Sequence, residues 1–280
     1  MINLNGNLAQ ETEVLTSNNR AFKFGDGVFE TLKSVNGRLL FWEPHYLRLM
    51  ASMRIMRMEI PMNFTLEFLQ EEIQKVLDAN ELADQPARVR LTVFRNEGGL
   101  YLPLTNEVSY LIEATALSSP FYTLSQNSYE VDLFKDFYVN ADLLSTIKTN
   151  NKALHVVGSI FAHENELDNC LLLNNHKNVV EALNGNLFLV NGSVIKTPPL
   201  SEGCMNGIIR KELIKIIEKT EGLTLEETPI SPFELQKADE LFMTNTIIGI
   251  RPITKYRKKE FSSQVAQQLV GKLNAIARLS

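Results

Sequence analysis

The sequence predicts an α+β protein of two domains, and three observations carry that expectation. Val28-Phe29-Glu30-Thr31-Leu32-Lys33-Ser34-Val35 alternates, Asn36-Gly37 supplies a tight turn, and Arg38-Leu39-Leu40-Phe41 returns, which is a β-hairpin pattern. Residues 65–79 place Leu66, Leu69, Ile73, Val76 and Leu77 on one side of a helix. The composition then shifts across 116–125, where Ser118-Ser119-Pro120 punctuates the chain, and a strand-rich unit begins with Tyr129-Glu130-Val131-Asp132-Leu133-Phe134. The expected division is an N-terminal domain over 1–117, a linker over 118–125 and a C-terminal domain over 126–280.

The elements follow in order. Met1 to Gly6 reads as a first strand and turn. Pro44 sits where a first helical turn accepts it, so a helix is predicted to about Met58, with Leu47, Met50, Met53 and Met56 as an apolar face interrupted by Arg54 and Arg57. Its methionines read as core filling. Strands are predicted over 87–94 and 108–115. The loop Arg95 to Pro103 between them carries Gly98-Gly99, which suits either close approach to a ligand or a plain hairpin connection. A helix over 153–167 is expected to bury Val156, Val157, Ile160 and Phe161, with His155 and His163 as ordinary helix residues. Strands over 170–173, 187–190 and 194–196 come next, the last two joined by Asn191-Gly192. The helix over 207–218 sets Ile209, Leu213, Ile216 and Ile217 against Arg210, Lys211 and Lys215 on the opposite side. A last amphipathic helix covers 262–279.

With 280 residues, 44% hydrophobic and 22% charged, the chain is long enough for sizeable cores. A net charge of −5, and no basic run longer than Arg257-Lys258-Lys259, argue against nucleic acid as a partner. No apolar segment approaches membrane-spanning length and the start does not read as a signal peptide. Cys170 and Cys204 are too few for a disulfide scaffold and lack metal-ligand spacing, so no metal is expected, and two buried thiols suit the cytoplasm.

Three chemical groups between Leu144 and Arg210 point to pyridoxal phosphate. Lys148, in Ile147-Lys148-Thr149-Asn150-Asn151, would be the Schiff-base amine. Glu181, in Val179-Val180-Glu181-Ala182-Leu183-Asn184-Gly185, would face the pyridine nitrogen. The N–H groups of Ile208 and Ile209, opening a helix after Asn206-Gly207, would hold the phosphate.

The sequence resembles the fold-type IV pyridoxal phosphate enzymes, or class IV aminotransferases. Phe24-Gly25-Asp26-Gly27-Val28-Phe29-Glu30-Thr31, His45-Tyr46-Leu47-Arg48-Leu49, the Lys148 and Glu181 segments, Gly207-Ile208-Ile209-Arg210 and Thr244-Asn245-Thr246 with Pro252 carry the likeness over nearly the whole chain. It implies an α/β sandwich followed by a barrel-like α/β domain, and a homodimer. It also implies that Arg48 contacts the cofactor phosphate, aided by a Thr246 hydroxyl, and that Phe29, Tyr101 and Asn151 lie on the substrate side.

Family likeness leaves the reaction to the substrate clamp. Thr31 after Phe29-Glu30, and Ala153 five residues past the lysine, depart from the branched-chain aminotransferases. Leu100-Tyr101-Leu102 lacks the Arg-x-His carboxylate trap of D-amino acid transaminases. Asn151, and an Arg95-Asn96-Glu97-Gly98-Gly99-Leu100-Tyr101 loop partly matching the aminodeoxychorismate lyases, place that lyase first, releasing pyruvate to leave 4-aminobenzoate. An amino-acid transaminase using 2-oxoglutarate is the alternative, and a cofactor-binding protein without turnover a third reading.

Overall fold

The computed structural model describes residues 1–10 and 16–280. Contacts divide the chain into a first unit, Met1–Pro120 with Ile147–Asn151 and Ser280, and a second, Phe121–Thr146 with Lys152–Leu279.

The first unit is built on one antiparallel sheet. In chain order its elements are β1 (Ile2–Leu4), β2 (Asn7–Ala9), α1 (Arg20–Phe24), β3 (Gly27–Val35), β4 (Arg38–Leu39), α2 (Trp42–Ile55), α3 (Leu66–Ala79), β5 (Ala87–Arg95) and β6 (Val108–Ala116). The strands lie in the order β2-β1-β6-β5-β3-β4. Asn36 and Gly37 both take positive φ, 51° and 72°, which is the twist-matched turn that the Asn-Gly pair supplies without strain. Thr65 caps α3 by accepting the Phe68 N–H. Leu69, Ile73, Val76 and Leu77 of α3, with Leu49, Met50 and Met53 of α2, cover Val28, Leu32, Val89, Leu91 and Ile112 of the sheet. α2 departs from its expected face. Leu47 is exposed, and the buried side carries His45 and Arg48 instead, because an acidic strand residue lies beneath them. The helix also stops at Ile55, where Met56 caps it and Arg57 turns left-handed at φ 54°.

The second unit contains β7 (Glu130–Val139), α4 (Ala153–Glu164), β8 (Asn169–Asn174), β9 (Val179–Ala182), β10 (Gly185–Asn191), β11 (Val194–Thr197), α5 (Ile208–Glu218), β12 (Thr224–Glu227), α6 (Pro232–Leu235), β13 (Glu240–Asn245), β14 (Gly249–Ile253), β15 (Lys255–Tyr256), β16 (Lys259–Glu260) and α7 (Gln264–Ala277). Its mixed sheet runs β12-β11-β10-β9-β8-β7-β15-β16 and forks at β10, which also pairs with β13, and β13 with β14. β7 and β8 are parallel, so the connection between them must cross over, and α4 forms that crossover. Strands β8, β9 and β10 are buried almost throughout, which explains their unbroken apolar runs.

Three further sequence expectations change in the structure. The sequence places the Lys148 segment in the C-terminal domain, yet Ile147–Asn151 packs with the first unit, through hydrogen bonds described below. α4 buries Gly158 and Ala162, whereas Val156, Val157 and Ile160 are exposed, by 56%, 40% and 52%. A helix that is apolar on several sides cannot reveal by periodicity which side is covered. Arg210 is buried rather than solvent-facing, since it donates to the Pro198 carbonyl and pairs with Glu227 of β12. Cys170 and Cys204 are free and buried, as expected. Among the described residues no helix is long and apolar enough to cross a membrane.

The difference between α3 and α4 is measurable by urea unfolding. Leu69→Ala, at a fully buried site, is expected to cost about 2–5 kcal/mol. Val156→Ser, at an exposed one, should stay within about 0.5 kcal/mol of wild type in the single chain.

Candidate active site

β3 organises the candidate residues of the first unit, because alternate residues on a strand face opposite sides. Its first half keeps a free edge, which the Lys148 segment occupies. Phe29 N–H donates to the Lys148 carbonyl at 2.8 Å, Asn150 N–H donates to the Gly27 carbonyl at 2.9 Å, and Val28 bridges Thr149. The approach is close at Gly27, where a Cβ would stand 2.7 Å from Asn150 Nδ2 and displace that amide. Lys148 Nζ lies 4.8 Å from the Phe29 ring centroid, and the Arg90 guanidinium of β5 lies 3.8 Å from the same centroid. Arg90 is steadied by Thr92 Oγ1 and Asn150 Oδ1, and burial lowers its pKa. Sequence reasoning missed Arg90, which reads there as one of several charges on an alternating strand.

The opposite face of β3 carries a buried ionic cluster. Glu30, 1% exposed, takes Arg48 Nε and Nη2 on its two oxygens and His45 Nδ1 at 2.6 Å. His45 and Arg48 are three residues apart on α2, hence on one helix face. Burial pushes the Glu30 carboxyl up, but the Arg48 charge and hydrogen bonds, with those of His45, outweigh it and bring the carboxyl to about 2. Burial drives the His45 pKa down, against the pull of Glu30 and with the help of Arg48 and Lys148. Arg48, singled out for a phosphate contact, therefore already has its charge balanced by Glu30.

The 95–104 loop is braced from behind. Asp26 accepts Nε–H donors from both Arg20 and Arg95. Arg95 also donates to the Met56 and Arg57 carbonyls and to Asn106, while Arg20 donates to the Gly98 and Leu100 carbonyls. Leu100, Tyr101, Leu102 and Leu104 stand 78–90% exposed, with Tyr101 against Phe24. Arg95, which favoured the lyase in the sequence, is thus a brace of the fold. Asn151 is exposed, its backbone close to Gly25.

In the second unit Glu181 and the α5 N-terminus are joined by one peptide. The β9–β10 register sets Glu181 opposite Asn186. Glu181 Oε2 accepts the Met205 N–H at 2.8 Å, and Asn186 Nδ2 donates to the Met205 carbonyl at 2.7 Å. A Cβ on Gly207 would lie 2.1 Å from Asn186 Oδ1, so a side chain there would displace the amide that holds the Met205 carbonyl. α5 then opens without a side-chain cap, leaving the first-turn N–H groups, Ile208 and Ile209 among them, for an external acceptor. Glu181 is 5% exposed, and His155 of α4, with Nε2 3.9 Å from Oε1, is its one ion-pair contact among the described residues. Thr246 follows β13, its carbonyl taking the Tyr122 hydroxyl. No group of three or more metal-ligating side chains occurs among the described residues.

The Amino-transferase class IV family model matches residues 27–256. The chain belongs to the class IV aminotransferase family. It is similar to a putative branched-chain-amino-acid aminotransferase of Methanocaldococcus jannaschii, 29% identical over 97% of this chain and 93% of the relative. It is also similar to an aminodeoxychorismate lyase of Vibrio harveyi, 23% identical over 91% and 94%. A branched-chain aminotransferase from the archaeon Thermoproteus uzoniensis, solved with norvaline, superposes with a TM-score of 0.87 at 24% identity, over 99% of this chain and 94% of that one. The fold is that of the fold-type IV enzymes, and the chain is a member of a family of pyridoxal phosphate-dependent aminotransferases and lyases.

The Glu30 cluster makes a pH prediction. Its folded-state pKa lies below the unfolded value, so its stabilisation is complete above about 4.3 and is lost as pH falls toward about 2. Glu30→Gln should cost about 3–5 kcal/mol near neutral pH by stranding Arg48. Denaturant unfolding of both proteins from pH 6 downward should show that gap narrowing below about pH 4.

Proposed function

We propose that the chain is a pyridoxal phosphate-dependent transaminase that moves the amino group of an α-amino acid to a 2-oxo acid, 2-oxoglutarate being the first acceptor to test. The observation that carries this reading is the placement of Lys148 and Arg90 on the one Phe29 ring. An α-amino acid bears its amine and carboxylate on the same carbon. Its two receptors must therefore be neighbours, one a reactive amine and the other a fixed cation. A planar guanidinium already held by Thr92 and Asn150 suits the carboxylate. In aminodeoxychorismate the amine and carboxylates sit on different ring positions, and the Arg95 argument for that substrate no longer holds.

The residues fit the cofactor. Glu181 is a buried carboxylate with no Lys or Arg in an ion pair among the described residues, and a pyridinium N–H would complete it. The uncapped α5 N-terminus offers backbone donors to a phosphate, with the Thr246 hydroxyl beside Asn245 as a further donor. Arg48, balanced by Glu30, adds directional hydrogen bonding more than net charge. When bound, the cofactor supplies an aldehyde for Lys148 and an electron sink for the substrate α-carbon. Lys148 then removes and returns the α-proton, Arg90 fixes the carboxylate, Phe29 shields the amine from water, and Glu181 holds the proton on the pyridine nitrogen.

Two exposed apolar patches, the Leu100–Leu104 prong and the Val156/Ile160 row of α4, support a homodimer in which a second copy covers them. Buried free thiols suit a cytoplasmic setting.

Purified protein incubated with panels of D- and L-amino acids and 2-oxoglutarate should form glutamate. Arg90→Gln should lose about ten- to a hundredfold in kcat/KM, the worth of a charge-assisted hydrogen bond, with cofactor binding retained. Pyruvate release from aminodeoxychorismate without glutamate formation would reverse the assignment. Val156→Glu/Ile160→Glu is expected to halve the mass seen by light scattering.

A further inference from the structure

We propose that His155 is a positioning residue for Glu181, a second anchor that keeps the carboxylate aimed at the cofactor nitrogen. This rests on the reading of Glu181 given above. Lys148 and His155 are seven residues apart in the chain, and α4 delivers the imidazole to Glu181 from its first turn. Glu181 has two oxygens to orient. Oε2 is fixed by the Met205 N–H, and Oε1 faces His155 Nε2 at 3.9 Å, a separation that one bridging water or a small rotation of the ring converts to a hydrogen bond.

The imidazole has one arrangement that suits this place. His155 Nδ1 is buried and has no hydrogen-bond partner among the described residues. Of the two neutral tautomers, the one with hydrogen on Nε2 points its donor at the carboxylate and leaves Nδ1 bare, so Glu181 selects it. Competing partners are few. Cys204, pushed up to about 12 by burial and by Glu181, stays a neutral thiol. Arg210 is held by Glu227 and the Pro198 carbonyl. His163, two turns further along α4, shares a surface hollow with His155 but makes no ion pair with Glu181. Without His155 the carboxylate hangs from a single N–H, and its hold on the pyridine proton weakens. Periodicity alone makes His155 an ordinary helix residue; only the fold sets it against β9.

The test is the ¹⁵N resonance of ring-labelled pyridoxal phosphate bound to wild type, His155→Leu, His155→Gln and Glu181→Gln, since that resonance reports whether the ring nitrogen carries a proton. His155 is half-buried, so its replacements should leave the helix intact. Expected is a large displacement in Glu181→Gln and a partial displacement in the same direction in His155→Leu. His155→Gln, which restores an N–H donor, should return toward wild type. A wild-type resonance in His155→Leu, beside a displaced one in Glu181→Gln, overturns the proposal and leaves the role of Glu181 standing. An unmoved resonance in Glu181→Gln overturns both.

Discussion

A buried carboxylate on β3 must be neutralised, and most of the first unit follows from how Glu30 meets that demand. Taking it out of water without partners would cost several kcal/mol. Arg48 and His45 supply those partners from one face of α2, which fixes that helix over the strand. The same constraint fixes strand register. Phe29 is one residue from Glu30, so a slip by one position would bring the charge to the Lys148 face and the aromatic ring into the helical layer. Holding Glu30 under α2 therefore presents Phe29 on the other side, where Lys148 and Arg90 share its ring. The ionic cluster lies on the face of β3 opposite Phe29, yet it fixes the side on which Lys148 meets that ring.

The second unit solves a related problem with backbone rather than with arginine. Glu181 and Asn186 sit opposite each other across the β9–β10 pair and grip the two ends of the Met205 unit, one through its N–H and one through its carbonyl. That grip sets the direction in which α5 starts and leaves its first N–H groups without a side-chain cap. A helix end left this way is costly unless water or an anion satisfies it. Glu181 and the first-turn N–H groups of α5 are spaced by the same short turn, where a Cβ on Gly207 would run into the Asn186 amide.

Local signals were legible in the sequence, and partnerships across sequence were not. The Asn36-Gly37 turn and the α3 stripe depend on neighbours a few residues away, and the structure places both where the pattern does. Lys148, Glu181 and the α5 start could be picked out because they fall in order along one stretch. Glu30, Arg48 and Arg95 fall within motifs, but their pairing with one another's segments is hidden until the fold is known, since Arg48 meets Glu30 18 residues away and Arg95 meets Asp26 69 residues away. The outward side of α4 failed for a different reason. Val156, Val157 and Ile160 are as apolar as core residues, so only a covering surface distinguishes inside from outside. The placement of Ile147–Asn151 with the first unit is likewise invisible to periodicity, because it rests on backbone hydrogen bonds to β3.

Lys148, docked on the β3 edge beside Phe29, is the amine proposed to hold the cofactor. Borohydride reduction of the protein loaded with pyridoxal phosphate, followed by proteolysis and mass spectrometry, tests it directly. The expected result is a single phosphopyridoxyl adduct, localised by fragmentation to Lys148. An adduct on Lys152, which lies in the second unit by contact, or on any other lysine with Lys148 unmodified, would contradict it.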